Sequence, residues 1–183
     1  MFNIYIDADS LPKAHRAIIL KRIVKESEYI GECVFASDRE LSDVRDARDA
    51  HTAALRLPYR DNLDKLELRK IKSNIKMVVV PTGANSADDY LVENSSLPGF
   101  AITHDVPLSN RLVEKGLVVL DDRGGVFTSE NIKERLSGRN FMTSLREMGF
   151  ESDKNKSFDQ RTINEFASAL DSIFYKYKKE YCS

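Results

Sequence analysis

Apolar residues along the chain fall into short runs that alternate with longer stretches of mixed polarity. The runs are rich in Ile and Val and are apolar at nearly every position, as strands covered on both faces require. They predict strands at residues 3–6, 30–36, 77–80, 100–103 and 117–120. Several of the intervening stretches carry apolar residues at helical spacing. Strands that alternate with helices predict an α/β fold with a mainly parallel sheet.

The helical stretches differ in how clearly they can be recognised. Helices are predicted to begin near Pro12, Ser86 and Pro107, and a longer one spans residues 129–148 with a break or bend near 137–138. Residues 61–73 predict an amphipathic helix with a basic polar face. Residues 37–58 show no clear period and contain many Asp and Arg side chains, so we expect a solvated loop or a loosely formed helix there.

The end of the chain has a different character. Residues 1–148 are predicted to form the α/β domain, and the polar residues 149–158 are predicted to be a linker. Residues 159–183 predict an amphipathic helix with a continuous apolar stripe. This stripe packs either on the domain or on a partner, and in the second case it would join copies of the chain into an oligomer.

Composition and charge limit the function classes. Hydrophobic residues make up 42% of the chain and charged residues 31%, as in an ordinary soluble protein. The formal net charge of −1 provides no global attraction to nucleic acid, so any basic groove must be local. The two cysteines have no metal-ligand spacing, and we recognise no signal peptide or membrane-spanning segment. We therefore expect a cytoplasmic protein that does not associate with membranes.

The first predicted strand runs directly into Asp7-Ala8-Asp9. Residues two apart on an extended backbone point the same way, so both carboxylates project from the end of a buried strand. Like charges held together are unfavourable unless a cation lies between them. The pair therefore indicates a metal site, with the alternative that Asp9 caps the helix beginning near Pro12.

Two further predicted strands are followed by carboxylates. Asp88 follows the third strand, which we expect to lie beside the first strand and so to place Asp88 near Asp7. Asp105 follows the fourth strand, next to His104, which is a candidate base or ligand. Each acid taken alone is also well placed to stabilise a helix N-terminus. Together they predict an acidic cluster at one rim of the sheet.

The chemistry of this cluster favours Mg²⁺ or Mn²⁺ over zinc. The candidate ligands are oxygen donors, without Cys or His at ligand spacing. Metals held in this way activate water for attack on a phosphodiester. An Asp-x-Asp sequence after a strand also occurs in phosphatases of the haloacid dehalogenase type, in which Asp7 would be the nucleophile. Thr103, Lys115 and the pair at 121–122 would then fill the remaining roles.

The same residues carry a family resemblance. The segment Ile-Asp-Ala-Asp-Ser-Leu-Pro-Lys at residues 6–13 resembles the VDADACPK signature of the YaiI/YqxD family of bacterial proteins, which is placed in the PIN-like nuclease superfamily. The resemblance continues in the expected order through residues 83–88, 102–108, 123–132 and 136–146.

The resemblance implies a PIN-like three-layer α/β/α sandwich with an acidic site. By position, Asp7, Asp88 and Asp105 match the catalytic and metal-binding acids, and Asp9 matches the family's second N-terminal Asp. The family usually has a further Asp where this chain has Asn85, a neutral ligand that would lower metal affinity. The stretch between the second and third strands is also longer than is usual in the family, which marks residues 37–74 as an insertion of unknown purpose.

A nuclease also needs cations that hold phosphates. The candidates are Arg123, after the fifth strand, and Arg135, Arg139 and Arg146, which share one predicted helix at spacings of four and seven. The alternative for these arginines is a solvated helix face.

The sequence and the resemblance together predict a metal-dependent nuclease. Single-stranded RNA is favoured as substrate only by analogy with the superfamily. The alternatives are a non-catalytic PIN-like binding module and the phosphatase that uses Asp7 as nucleophile.

Overall fold

A computed structural model describes residues 1–81, 83, 86–147 and 160–182, without side chains at 145 and 146. Its strands are β1 (Phe2–Asp7), β2 (Ile30–Ser37), β3 (Ile75–Val79), β4 (Gly99–Ile102), β5 (Val118–Leu120) and β6 (Val126–Phe127). Its helices are α1 (Lys13–Lys25), α2 (Ser42–Arg56), α3 (Lys65–Lys70), α4 (Ser86–Asn94), α5 (Val106–Glu114), α6 (Ile132–Glu147) and α7 (Gln160–Tyr181).

The six strands form one sheet in the order β3-β2-β1-β4-β5-β6, parallel except for β6. One face packs against α1, α2 and α7 through a core that includes Ile4, Ile6 and Phe35. The other face packs against α4, α5 and α6 around Tyr5 and Val34. This arrangement confirms the predicted α/β/α sandwich. No helix among the described residues is long and apolar enough to cross a membrane.

The predicted position of the third strand was wrong. β3 pairs with β2 and lies at the edge of the sheet, so it is not a neighbour of β1. The chain returns from β3 to β4 through α4, which passes over β2 and β1 and contacts both. Asp88, in the first turn of α4, is carried toward β1 by this crossover and not by strand pairing.

Three helix predictions also need correction. Residues 37–58, expected to be a loop or a loosely formed helix, contain a regular fifteen-residue helix, α2. Its inner positions, Val44, Ala47, His51 and Leu55, recur at helical spacing and are buried or half-buried, but few of them are large and apolar. The predicted helix at 61–73 shortens to the six residues of α3. Near 137–138, α6 continues without a break.

The C-terminal helix packs on the domain. Phe166, Phe174 and Tyr177 of α7 are buried in the core, and the hydroxyl of Tyr177 donates to the carbonyl of Gly99 at 2.9 Å. Phe2 of β1 packs edge-on against Phe174. The apolar stripe of α7 is therefore covered by its own domain, as one of the two alternatives predicted. The predicted linker, residues 149–158, lies outside the described residues.

A protrusion, residues 57–72, joins α2 to the edge strand. It contains α3 and has no buried residue. Its base is closed by hydrogen bonds from Arg56 Nε to the carbonyl of Ile71 at 2.9 Å and from the Ser73 amide to Thr52 Oγ1 at 3.1 Å. The outer edge of β3 pairs with no other strand among the described residues, and Val79 is 53% exposed there.

Candidate active site

The hydroxyl group of Thr103 links the carboxyl ends of β1 and β4. Asp7, the last residue of β1, is only 5% exposed. Thr103 follows β4, is fully buried, and donates from Oγ1 to Asp7 Oδ2 at 2.7 Å. Thr103 Oγ1 also accepts the amide N–H of Asp105 at 3.0 Å. Because parallel strands end at the same rim, Thr103 can fix Asp7 and the backbone of Asp105 relative to each other.

The loop after β1 is tied to the loop after β4. Ser10 Oγ donates to the Asp7 carbonyl at 3.1 Å and accepts the amide N–H of His104 at 3.2 Å. The two loops that carry candidate acids are thus held together by side chains as well as by the sheet.

Asp88 approaches this pair from α4. Burial, followed by the negative charges of Asp7 and Asp105, raises the pKa of Asp88 to about 6, against the opposing charge of Arg111. Burial also raises the pKa of Asp7, as does the charge of Asp9, while hydrogen bonds from Thr103 and Ser10 oppose that effect. Asp88 therefore lies close enough to Asp7 and to Asp105 for their charges to act on it.

Asp105 has two roles at once. Its Oδ1 accepts the amide N–H of Leu108 at 2.7 Å, so Asp105 is the N-cap of α5. Its side chain also lines the neighbouring cleft, described below. The capping alternative and the position at the acidic rim are therefore both observed.

Asp9 is hydrogen-bonded to the segment that follows β2, although its charge still acts on Asp7. Its carboxylate accepts Ser37 Oγ at 2.7 Å and the amide N–H of Asp38 at 2.8 Å, and Arg39 lies 3.8 Å away. The alternative that Asp9 caps α1 is wrong, because Pro12 occupies that position without a side-chain hydrogen bond. Asp9 instead anchors the segment that follows β2.

A cleft of about 820 Å³ opens between α6 and the ends of β4 and β5. This volume is within the range of small-molecule binding sites. Among the candidate cations, Arg123, Arg135 and Arg139 line it, and the guanidinium of Arg135 lies 5.9 Å from the centre of the Phe127 ring. Arg135 and Arg139 therefore border a cleft that also contains acidic side chains, and both are exposed there. Asn85 and the side chain of Arg146 lie outside the described residues.

The cleft contains a buried carboxylate that the sequence reasoning did not place there. Asp122, 2% exposed, bonds His104 Nδ1 through Oδ1 at 2.9 Å, and its carbonyl lies 2.8 Å from His15 Nε2. The imidazole of His104 is exposed and lines the cleft. The sequence contained the signal, because Asp122 lies just past the carboxyl end of β5, as Asp7 lies at the carboxyl end of β1.

The adjacent Asp121 has a structural task. Its Oδ1 accepts the amide N–H groups of Arg123 at 2.8 Å and Gly125 at 2.6 Å. These bonds shape the turn between β5 and β6. Gly124 within this turn has φ +85°, and a Cβ atom built on it would lie 2.9 Å from the carbonyl of Glu165 in α7. The turn that lines the cleft is therefore in direct backbone contact with α7.

The donor set at the rim suits a hard divalent cation. Asp7, Asp88 and Asp105 offer carboxylate oxygens, and the repulsion of Asp88 by the other two is the condition that a cation relieves. Within the described residues, however, no three His, Cys, Asp or Glu side chains form a ready metal cage. Mg²⁺ commonly binds through one or two carboxylates together with substrate phosphates and water, which is compatible with such a rim.

Sequence comparisons find relatives over nearly the whole length of the chain. A family described as "Uncharacterized BCR, YaiI/YqxD family" matches residues 63–176. A UPF0178 protein of Pseudomonas entomophila is 34% identical over 177 residues, covering 97% of this chain and 99% of the relative. A UPF0178 protein of Treponema denticola is 33% identical over 178 residues, covering 97% and 95%. No solved structure matches. The chain belongs to the YaiI/YqxD family.

Proposed function

We propose that this protein is a metal-dependent nuclease that hydrolyses phosphodiester bonds, with Mg²⁺ or Mn²⁺ held by Asp7, Asp88 and Asp105. The observation that carries the proposal is the position of Asp88 close to Asp7 and Asp105, beside the arginine-lined cleft. Acids that repel one another lower stability, so their convergence indicates a function that needs them.

The chain's own residues have distinct tasks in this proposal. Arg123, Arg135 and Arg139 would bind substrate phosphates along the cleft, since guanidinium groups match phosphate geometry. Thr103 would keep Asp7 in one orientation through its 2.7 Å hydrogen bond. A metal ion, when bound, polarises the phosphoryl oxygens and lowers the pKa of a water molecule.

The position of His104 adds to this scheme. Its Nδ1 is held by the buried carboxylate of Asp122, and Nε2 has no protein partner among the described residues. The ring therefore has a fixed orientation at the wall of the cleft, where it would contact the substrate. RNA as the substrate, and the cytoplasm as the site of action, stay predictions that follow from the family resemblance and the composition.

The test is a cleavage assay with Mn²⁺ and single-stranded RNA or DNA. We expect the wild-type protein to cut and Asp7→Asn to lose at least about a hundredfold in rate, since an acid at the metal is removed. Asp89→Asn is the matched control, because Asp89 is the neighbour of Asp88 but is exposed and paired with Arg111 at 2.7 Å. Equal cleavage by the wild type and Asp7→Asn would refute the proposal.

A non-catalytic binding module is the second candidate. The commitment of Asp9 to Ser37 and Asp38 favours it, because one of the family's acids is then used for structure. Binding of RNA without cleavage in any divalent metal would support this candidate over the nuclease.

The phosphatase alternative needs a lysine near Asp7, and Lys115 does not lie there. Lys115 would have to lie near Asp7, but its Nζ donates to the carbonyls of Ser95, at 3.0 Å, and of Val92. Those carbonyls belong to the C-terminal end of α4, whereas Asp88 in its first turn lies near Asp7. Lys115 is therefore a full helix length from the acidic rim.

A further inference from the structure

The protrusion formed by residues 57–72 has a local surplus of positive charge. It holds five basic residues against three acidic ones, in a chain whose net charge is −1. The basic residues are all exposed, and within the described part of the chain they form no ion pair: Arg60, Lys65, Arg69, Lys70 and Lys72.

Two of the three acids are hydrogen-bonded to the backbone of α3, although both are exposed. Asp64 Oδ1 accepts the amide N–H groups of Leu66 at 2.7 Å and Glu67 at 2.8 Å. Glu67 Oε2 accepts the amide N–H of Asp64 at 3.2 Å, which completes a capping box. These carboxylates keep their charge, but their hydrogen bonds to the backbone compete with ion pairs to the neighbouring lysines and arginines.

The protrusion also exposes large apolar groups. Leu57 and Leu66 are each 68% exposed and Tyr59 is 49% exposed. A single exposed apolar residue is ordinary, but all three lie in the same sixteen-residue protrusion as the five exposed cations. Cations interleaved with an aromatic ring are the usual surface for a single-stranded nucleic acid, whose phosphates pair with the cations and whose bases stack on the ring.

The protrusion is held at the opposite rim of the sheet from the candidate active site. α2 begins after the carboxyl end of β2 and runs back along the sheet for fifteen residues, which corresponds to about 22 Å. Asn74, just after the protrusion, donates to the carbonyls of Ser27 and Ile30 at the start of β2. Only an extended ligand would contact both the protrusion and the cleft.

We propose that the protrusion is a second binding surface that holds single-stranded nucleic acid away from the cleft. The choice of ligand rests on the proposed nuclease function, whereas the attraction of the protrusion for polyanions does not. The surface would retain a long strand between successive contacts with the cleft, without taking part in bond cleavage.

The test uses a triple variant, Lys65→Gln, Lys70→Gln and Lys72→Gln, in the full chain. Its matched control is Lys13→Gln, Lys21→Gln and Lys25→Gln, which removes three exposed lysines from α1 and gives the same net charge. Binding of a fluorescent single-stranded RNA of about thirty nucleotides is measured by anisotropy in a chelator, so that no turnover is needed.

We expect the protrusion variant to bind about tenfold more weakly at low salt than the control. The slope of log affinity against log salt concentration should also fall by about 2, at about 0.7 for each lost phosphate contact. Tyr59→Ala should weaken binding without changing that slope, because a stacked base carries no counterion.

Three outcomes would overturn the proposal. They are equal RNA affinity of the two triple variants, equal affinity of the wild type for polyglutamate and RNA, and preferential binding to anionic vesicles. A wild type that binds through the protrusion but cleaves nothing would refute the nuclease function and leave this surface in place. A wild type that cleaves with Mn²⁺ while both triple variants bind alike would refute this binding surface and leave the nuclease function in place.

Discussion

Asp88 provides the most direct test of the acidic rim, because its charge should cost stability when no cation is present. Burial and the charges of Asp7 and Asp105 raise its pKa from 3.8 to about 6. That difference corresponds to about 3 kcal/mol for a fully buried group. Because Asp88 is only partly buried, solvent screening reduces the expected cost to about 1–2 kcal/mol.

Asp88→Asn should therefore be more stable than the wild type by about 1–2 kcal/mol near pH 8 in a chelator. The native state of the wild type holds the proton of Asp88 more tightly than the unfolded chain does. Its stability relative to the variant consequently falls as the pH rises from about 4 to about 6, and then stays constant. The advantage of the variant should be mostly lost near pH 4, where Asp88 is protonated in the native state, and absent below about pH 3, where it is protonated in both states.

The measurement is urea unfolding of both proteins at several pH values. Asp89→Asn is the control, since losing an exposed ion pair with Arg111 should lower stability by less than about 1 kcal/mol. Added Mn²⁺ should raise the stability of the wild type more than that of Asp88→Asn. The reasoning would be refuted if Asp88→Asn were less stable than the wild type near pH 8, or if its advantage were unchanged near pH 4.

Three further substitutions separate structural from functional residues by urea unfolding. Asp9→Ala should lower the free energy of unfolding by about 1–3 kcal/mol, because the groups of Ser37 and Asp38 that bond Asp9 become unpaired. The variant should still be stabilised by Mn²⁺, and loss of that stabilisation would make Asp9 a metal ligand. Gly124→Ala should lose about 2 kcal/mol, since φ is +85° and the new Cβ meets the backbone of α7; a neutral effect would show that α7 can shift. Tyr177→Phe should lose about 1 kcal/mol with its buried hydrogen bond, and an unchanged midpoint would contradict that bond.

The sequence predicted the buried strands well, because β1, β2 and β4 are apolar on both faces and leave little ambiguity. It failed at α2, where the helical period is present but weakly marked. Val44, Ala47, His51 and Leu55 recur at helical spacing on the inner face, but they are mostly small or polar and stand among many Asp and Arg side chains. It overestimated α3 because Leu63 and Leu66, like Leu68 and Ile71, are three residues apart as on a helix, although none of them is buried.

The order of the strands in the sheet cannot be predicted from the local pattern of apolar and polar residues. The expectation that β3 lies beside β1 required knowledge of a long-range pairing that no short segment encodes. Asp88 nevertheless lies near Asp7, because the crossover through α4 compensates for the misplaced strand. The acids at the ends of the first and fourth strands predicted the positions of Asp7 and Asp105 at the rim of the sheet. The same pattern after the fifth strand indicates Asp122.

The unpaired edge of β3 bears on how this protein behaves at high concentration. Residues 75–80 read Ile-Lys-Met-Val-Val-Val, a composition that favours intermolecular strand pairing and aggregation. Lys76, exposed and paired with Glu32, interrupts this segment with a charge, and Pro81 follows it directly. Both residues oppose the addition of a further strand. Replacing Lys76 with an apolar residue would therefore lower solubility, even though the substitution lies far from the acidic rim.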